Sequence, residues 1–94
     1  MAVMMIMNWS GITTDQYEQA REKVNWETDT PKGAIAHFAA HDGKGMRITD
    51  IWESGDDFQS FVDSRLTPAV TEIGIQGQPD VEIYPLHAKF TPGL

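Results

Sequence analysis

The chain has 94 residues, enough for one domain spanning residues 1–94, and its 40% apolar and 10% aromatic content exclude a disordered chain. Seven basic residues against fourteen acidic ones give a net charge of −7, which repels phosphate backbones and argues against nucleic-acid and anionic-membrane partners. No cysteine is present, so disulfides, thiol catalysis and the softest metal ligands are out of reach.

Met1-Ala2-Val3-Met4-Met5-Ile6-Met7 is a continuous apolar run. It is too short to span a bilayer and lacks the basic leader of a signal peptide, so the expectation is a cytoplasmic protein. A strand covered on both faces reads this way, and the run is predicted as a central β-strand. Asn8-Trp9-Ser10-Gly11 then reads as a turn. Thr13 with Gln16 three residues later predicts a capping box. Tyr17, Ala20 and Val24 follow on one helix face, with Trp26 near the helix end and a breaker cluster at Asp29-Thr30-Pro31-Lys32-Gly33.

Ala34 to His41 is the second predicted strand, and Asp42-Gly43-Lys44-Gly45 is a hairpin signal because Asp-Gly suits a turn with positive φ. Met46 to Glu53 is the third strand. Its alternation puts Met46, Ile48, Asp50 and Trp52 on one face and Arg47, Thr49, Ile51 and Glu53 on the other. Ser54 with Asp57 predicts a helix cap, and Phe58, Phe61, Val62, Leu66, Ala69, Val70 and Ile73 repeat at helical spacing. Pro68 predicts a kink or two helical pieces, with Thr67 capping the restart. Gly74 and Gly77 end the helix, and Val81 to His87 is the last strand. The order βαββαβ predicts an α+β, ferredoxin-like sandwich, in which a four-stranded antiparallel sheet carries both helices on one face. The other face is left bare for a homodimer contact, and a domain this small gains from the added burial.

In element order and length, in Ile51-Trp52-Glu53-Ser54 followed by Phe58 and Phe61, and in Leu66-Thr67-Pro68-Ala69, the chain resembles the antibiotic-biosynthesis-monooxygenase-like family of the dimeric α/β-barrel superfamily. The resemblance implies two sheets packed into a homodimeric α/β barrel and a small pocket between sheet and helices. Members of that family include cofactor-free oxygenases of polycyclic aromatic substrates and haem-degrading enzymes. The haem-degrading branch carries an asparagine on the first strand, which Asn8 matches, and a tryptophan and a histidine on the second helix. Phe61 and Thr71 stand at those two helix positions here, and threonine cannot supply an imidazole ligand, so haem degradation of that type is not expected.

Three histidines are the candidates for chemistry. His37 and His41 share a strand face, but four residues at ~3.3 Å each separate them by roughly 13 Å, too far for one metal. His87 is expected on the opposite sheet edge from His37. No metal is therefore expected, and the resemblance to cofactor-free oxygenases implies no cofactor. His37 lies among Ala34, Ala36, Ala39 and Ala40, whose small side chains leave space. That space is filled either by helix side chains and Trp26 around a hydrogen-bonded core histidine, or by a ligand for which His37 is donor or base. Asp50 is expected to pair with Arg47 across a bend or with Lys32. The candidate site is His37 and Asn8 as catalytic residues, with Trp52, Trp26 and Tyr17 lining a small aromatic ligand. The expected activity is cofactor-independent oxygenation of an aromatic or polyketide-like substrate; the alternatives are a non-catalytic dimer binding a metabolite or a partner protein, or a barrel whose only task is assembly. A cavity with convergent polar groups separates the first from the rest.

Overall fold

The computed structural model describes all 94 residues, in the order β1 (Val3–Ser10), α1 (Thr14–Val24), β2 (Ala34–His41), β3 (Gly45–Trp52), α2 (Gly55–Phe61), a π-turn (Val62–Leu66), α3 (Thr67–Glu72) and β4 (Asp80–Pro85). The four strands form one antiparallel sheet in the order β2-β3-β1-β4. This is the ferredoxin-like arrangement that the element order predicts. No helix is long and apolar enough to cross a membrane.

Local signals explain the element ends. The Thr13 hydroxyl accepts from the Gln16 backbone N–H while the Gln16 side chain accepts from the Thr13 N–H, closing the capping box. Asn25, at φ 60°, ends α1 in the left-handed conformation, so Trp26 lies beyond the helix in the loop to β2. The Ser54 hydroxyl accepts from the Asp57 N–H at 3.1 Å. Gly33, at φ +84°, accepts on its carbonyl from the Glu53 N–H, and a Cβ there would collide with Asp57.

Three sequence expectations shift. The first strand starts and ends later than the apolar run, so Asn8 and Trp9 are strand residues rather than a turn. The last strand stops at Pro85, leaving His87 outside the sheet. Thr67 does not cap a restart: its N–H bonds the Val62 carbonyl five residues back, and no side chain caps the start of α3. The helix absorbs Pro68 through that wide turn, because a proline without an N–H has no use for the usual carbonyl four residues earlier.

Met5, Met7, Trp52 and Phe58 form the buried core, with Val3, Ile48, Phe61 and Leu66 packed around it. Register therefore assigns the faces. Val3, Met5 and Met7 on β1 lie opposite Trp52, Asp50 and Ile48 on β3, and all point toward the helices. Met4, Ile6 and Asn8 on β1 share the bare face with Thr49 and Ile51 on β3 and with Phe38 on β2. β1 is thus interior to the sheet but covered on one face only. Arg65 ties the two helical segments together, donating to the Val24 carbonyl at 2.7 Å while its guanidinium lies 5.8 Å from the Phe61 ring centre.

Candidate active site

Of the β2 side chains on the helix face, Ala34 and Ala39 are small, and between the sheet and α1 lies a partly open cavity of about 840 Å³. Its walls are mainly apolar and aromatic, and among them are Tyr17 of α1, Trp26 of the loop, His37 of β2 and Asp50 and Trp52 of β3. The end of α2 and the π-turn place Phe61 and Leu66 on another wall.

One hydrogen-bonded chain crosses this cavity. The His37 Nδ1 lies 2.6 Å from Asp50 Oδ1, and the Trp52 indole N–H donates to Asp50 Oδ2 at 3.1 Å. The Tyr17 hydroxyl lies 2.7 Å from His37 Nε2. Asp50 is buried at 6% exposure, and a carboxylate only accepts hydrogen bonds. Its two oxygens therefore fix the order of donors: Nδ1 carries the imidazole proton, and Nε2 accepts from the Tyr17 hydroxyl. The expected partners of Asp50 are engaged elsewhere. Arg47 points to the bare face and bonds Asp42 at 2.8 Å, and Lys32 reaches toward Asp57 at 3.9 Å.

Aromatic rings hold the imidazole from the sides. The Trp26 ring centre lies 5.1 Å from that of His37, and the Tyr17 ring runs parallel to the imidazole at 6.1 Å. Trp52 meets Phe58 edge-on at 5.7 Å, so its indole both closes the core and supplies a donor to Asp50. Burial pushes the Tyr17 phenol up to about 12, partly offset by the positive charge of Arg21. Nearby, Arg21 and Glu27 are bound to each other. The Arg21 guanidinium holds the Glu27 carboxyl below its usual range, and Glu27 in turn raises the guanidinium.

The structure brings together four of the five residues singled out from sequence: His37, Tyr17, Trp26 and Trp52. Asn8 stands apart on the bare face, where its amide oxygen lies 3.5 Å from Arg47, and it does not line the cavity. The two readings of His37 also merge, since it is hydrogen-bonded into the sheet and still faces the open space with 31% of its side chain exposed. Asp50 is the member that the sequence argument sent elsewhere. A hairpin pairing His41 with Met46 puts His37 opposite Asp50 four steps along, so the signal was in the turn. His41 itself is consumed by that hairpin, with Nε2 donating to the Ile12 carbonyl at 3.0 Å and Nδ1 accepting from the Gly43 N–H at 3.1 Å. No group of three or more histidine and carboxylate side chains converges as a metal site would require.

No family model matches the sequence, and no curated protein matches it. Solved structures do. The chain is similar to SnoaB of Streptomyces nogalater, a cofactor-independent oxygenase, at TM-score 0.64 and 10% identity over 94% of both chains. It is similar to a putative antibiotic biosynthesis monooxygenase of Chloroflexus aurantiacus at TM-score 0.65 and 12% identity, over 96% of this chain and 98% of the other. It is also similar to the hydroxynitrile lyase of Passiflora edulis at TM-score 0.60 and 14% identity, over 95% and 96%. The chain shares the fold of the antibiotic biosynthesis monooxygenase-like proteins.

Proposed function

We propose that this protein is a cofactor-independent enzyme of the monooxygenase-like type, acting on an aromatic or polyketide-like substrate held in the cavity between the sheet and α1. The observation that carries this reading is the Asp50–His37–Tyr17 chain set in a mainly apolar wall. The buried Asp50 carboxylate on Nδ1 orients the imidazole and pairs with it when it takes up a proton, beside the space where a planar substrate would lie. Removing a proton from such a substrate leaves a delocalised anion, and the apolar walls keep it from water. An electron-rich anion of this kind passes an electron to oxygen without metal or flavin. The likeness to SnoaB supports the same choice.

We place the working unit as a homodimer through the bare sheet face. Ile6 and Met4 on β1, Ile51 on β3, Phe38 on β2 and Tyr84 on β4 form its apolar content, and Phe38 and Tyr84 are 48% and 49% exposed in the single chain. Sedimentation equilibrium checks this directly, with a monomer at micromolar concentration as the contrary result.

The activity is tested by supplying hydroxylated anthrones and following dissolved oxygen and quinone absorbance. Oxygen uptake that depends on His37 is the expected result. Tight binding without uptake would instead favour the non-catalytic reading, in which the cavity stores or senses an aromatic metabolite.

A further inference from the structure

We infer that Tyr17, rather than His37, is the group that touches the substrate's acidic proton, and that Tyr17, His37 and Asp50 form a proton relay for carbon acids. This deepens the reading above, since it assumes that the same cavity holds the substrate.

An imidazole has two in-plane positions for hydrogen bonds, one at each nitrogen. Both are occupied: Nδ1 faces Asp50 at 2.6 Å and Nε2 faces the Tyr17 hydroxyl at 2.7 Å. Trp26 packs at 5.1 Å, and the Tyr17 ring runs parallel to the imidazole. A molecule in the cavity therefore finds no free lone pair on His37. It finds the Tyr17 oxygen, whose hydrogen is committed to Nε2 and whose lone pairs are free to accept. Tyr17 sits on α1, across the cavity from the sheet, so its oxygen is the polar atom of the relay that a ligand lying against the helix meets first.

The step balances without a co-reactant. The substrate C–H bond breaks and its electron pair stays on the substrate as an enolate delocalised over the aromatic system. The Tyr17 oxygen takes that proton as its own hydrogen moves to His37 Nε2. Tyr17 ends neutral, His37 ends as an imidazolium paired with the Asp50 carboxylate, and nothing has been oxidised. The substrate class follows: a neutral, planar carbon acid whose C–H lies next to a ring or ring-conjugated carbonyl, small enough for the roughly 840 Å³ cavity. Run in reverse, the relay delivers a proton, so the same site also suits elimination or tautomerisation.

The test uses anthrone as probe, in deuterium oxide without oxygen, with loss of its methylene signal followed by proton NMR. The wild-type protein is expected to catalyse the exchange. Tyr17→Phe keeps the ring and removes only the relay atom, and it is expected to lower the catalysed rate about 10²-fold or more with anthrone binding and melting temperature retained. A 3-fluorotyrosine at position 17 is expected to restore exchange and to displace its pH profile, which a packing role for the ring would not do. Exchange in Tyr17→Phe at the wild-type rate would overturn the relay and return the contact to His37. Absence of exchange in the wild type would overturn it as well. Because oxygen is excluded, exchange without later oxygen uptake sinks the oxygenase reading alone and leaves the relay standing.

Discussion

Replacing Asp50 with asparagine probes the hydrogen-bond order on which the site depends. The buried carboxylate accepts from the His37 Nδ1–H and from the Trp52 indole at once. An asparagine has one accepting oxygen, so one bond is lost or turned into a donor facing a donor. Hydrogen bonds to a charged group contribute about 1.5–3 kcal/mol each. His37 is 31% exposed, which places its bond near the low end through solvent screening. A net loss of about 2 kcal/mol is expected, equivalent to a fall in melting temperature of about 8–16 °C for a domain of this size. The second consequence is tautomeric. If the asparagine oxygen stays on Trp52, its amide donates to Nδ1, the imidazole proton moves to Nε2, and the bond to Tyr17 reverses direction. Exchange catalysis should then drop by on the order of 10²-fold or more. Nitrogen-15 NMR of the imidazole reads the tautomer, and differential scanning calorimetry reads the stability. A wild-type His37 protonated on Nε2, or an Asp50→Asn variant with unchanged tautomer and melting temperature, would refute the reasoning.

Other expectations follow from single contacts. Trp52→Ala removes a 3%-exposed indole packed on Phe58 and Phe61; a cost of about 3–5 kcal/mol is expected, and an unchanged melting temperature would show that the indole is not core. Gly45→Ala places a methyl group against the Trp9 carbonyl and the Ser10 backbone, which cannot swing aside as a side chain would. A loss of about 1–3 kcal/mol or more is expected, with hydrogen exchange accelerated at the β1–β3 end; full protection there would count against the register. Asp42 is held down to about 2 from an ordinary 3.8, by the Arg47 guanidinium first and then by the Lys44 and Gly45 N–H groups. The unfolded chain binds the proton first, so this contribution is complete above pH 3.8 and fades toward pH 2. The melting temperature of Asp42→Asn should therefore depend less on pH across that window than that of wild type, and parallel curves would dismiss the cause. Tyr17, raised to about 12 by burial, works in the opposite sense. Stability falls as pH climbs above 10, where the unfolded phenol ionises and the folded one does not. A difference titration of phenolate absorbance between wild type and Tyr17→Phe should place this group late, and an ordinary midpoint would deny its burial.

Much of the fold could be read locally, because its signals are local. The Thr13–Gln16 box, the Ser54 cap, the Asp42–Gly43 hairpin and the alternation of β3 each act within a few residues, and each element they define is present. Where a neighbour's packing decides, sequence reasoning drifted. Met4 and Ile6 look as apolar as Met5 and Met7, yet only the latter pair is buried by helices. Pro68 announces two helical pieces, which α2 and α3 are, but the π-turn that joins them in place of a Thr67 cap has no local signal. The site divides the same way. Histidine among alanines marks a place where bulk is missing, and that is a property of composition along one strand. Asp50 and Tyr17 come to His37 from 13 residues downstream and 20 upstream, through strand register and helix placement. Asn8 differs from them by one step of strand parity, which puts it on the opposite side of the sheet. The sequence by itself determined the elements, their order and the identity of the imidazole. Only the tertiary structure decided which face is covered and which groups share a proton, because those depend on distances between segments that no local pattern encodes.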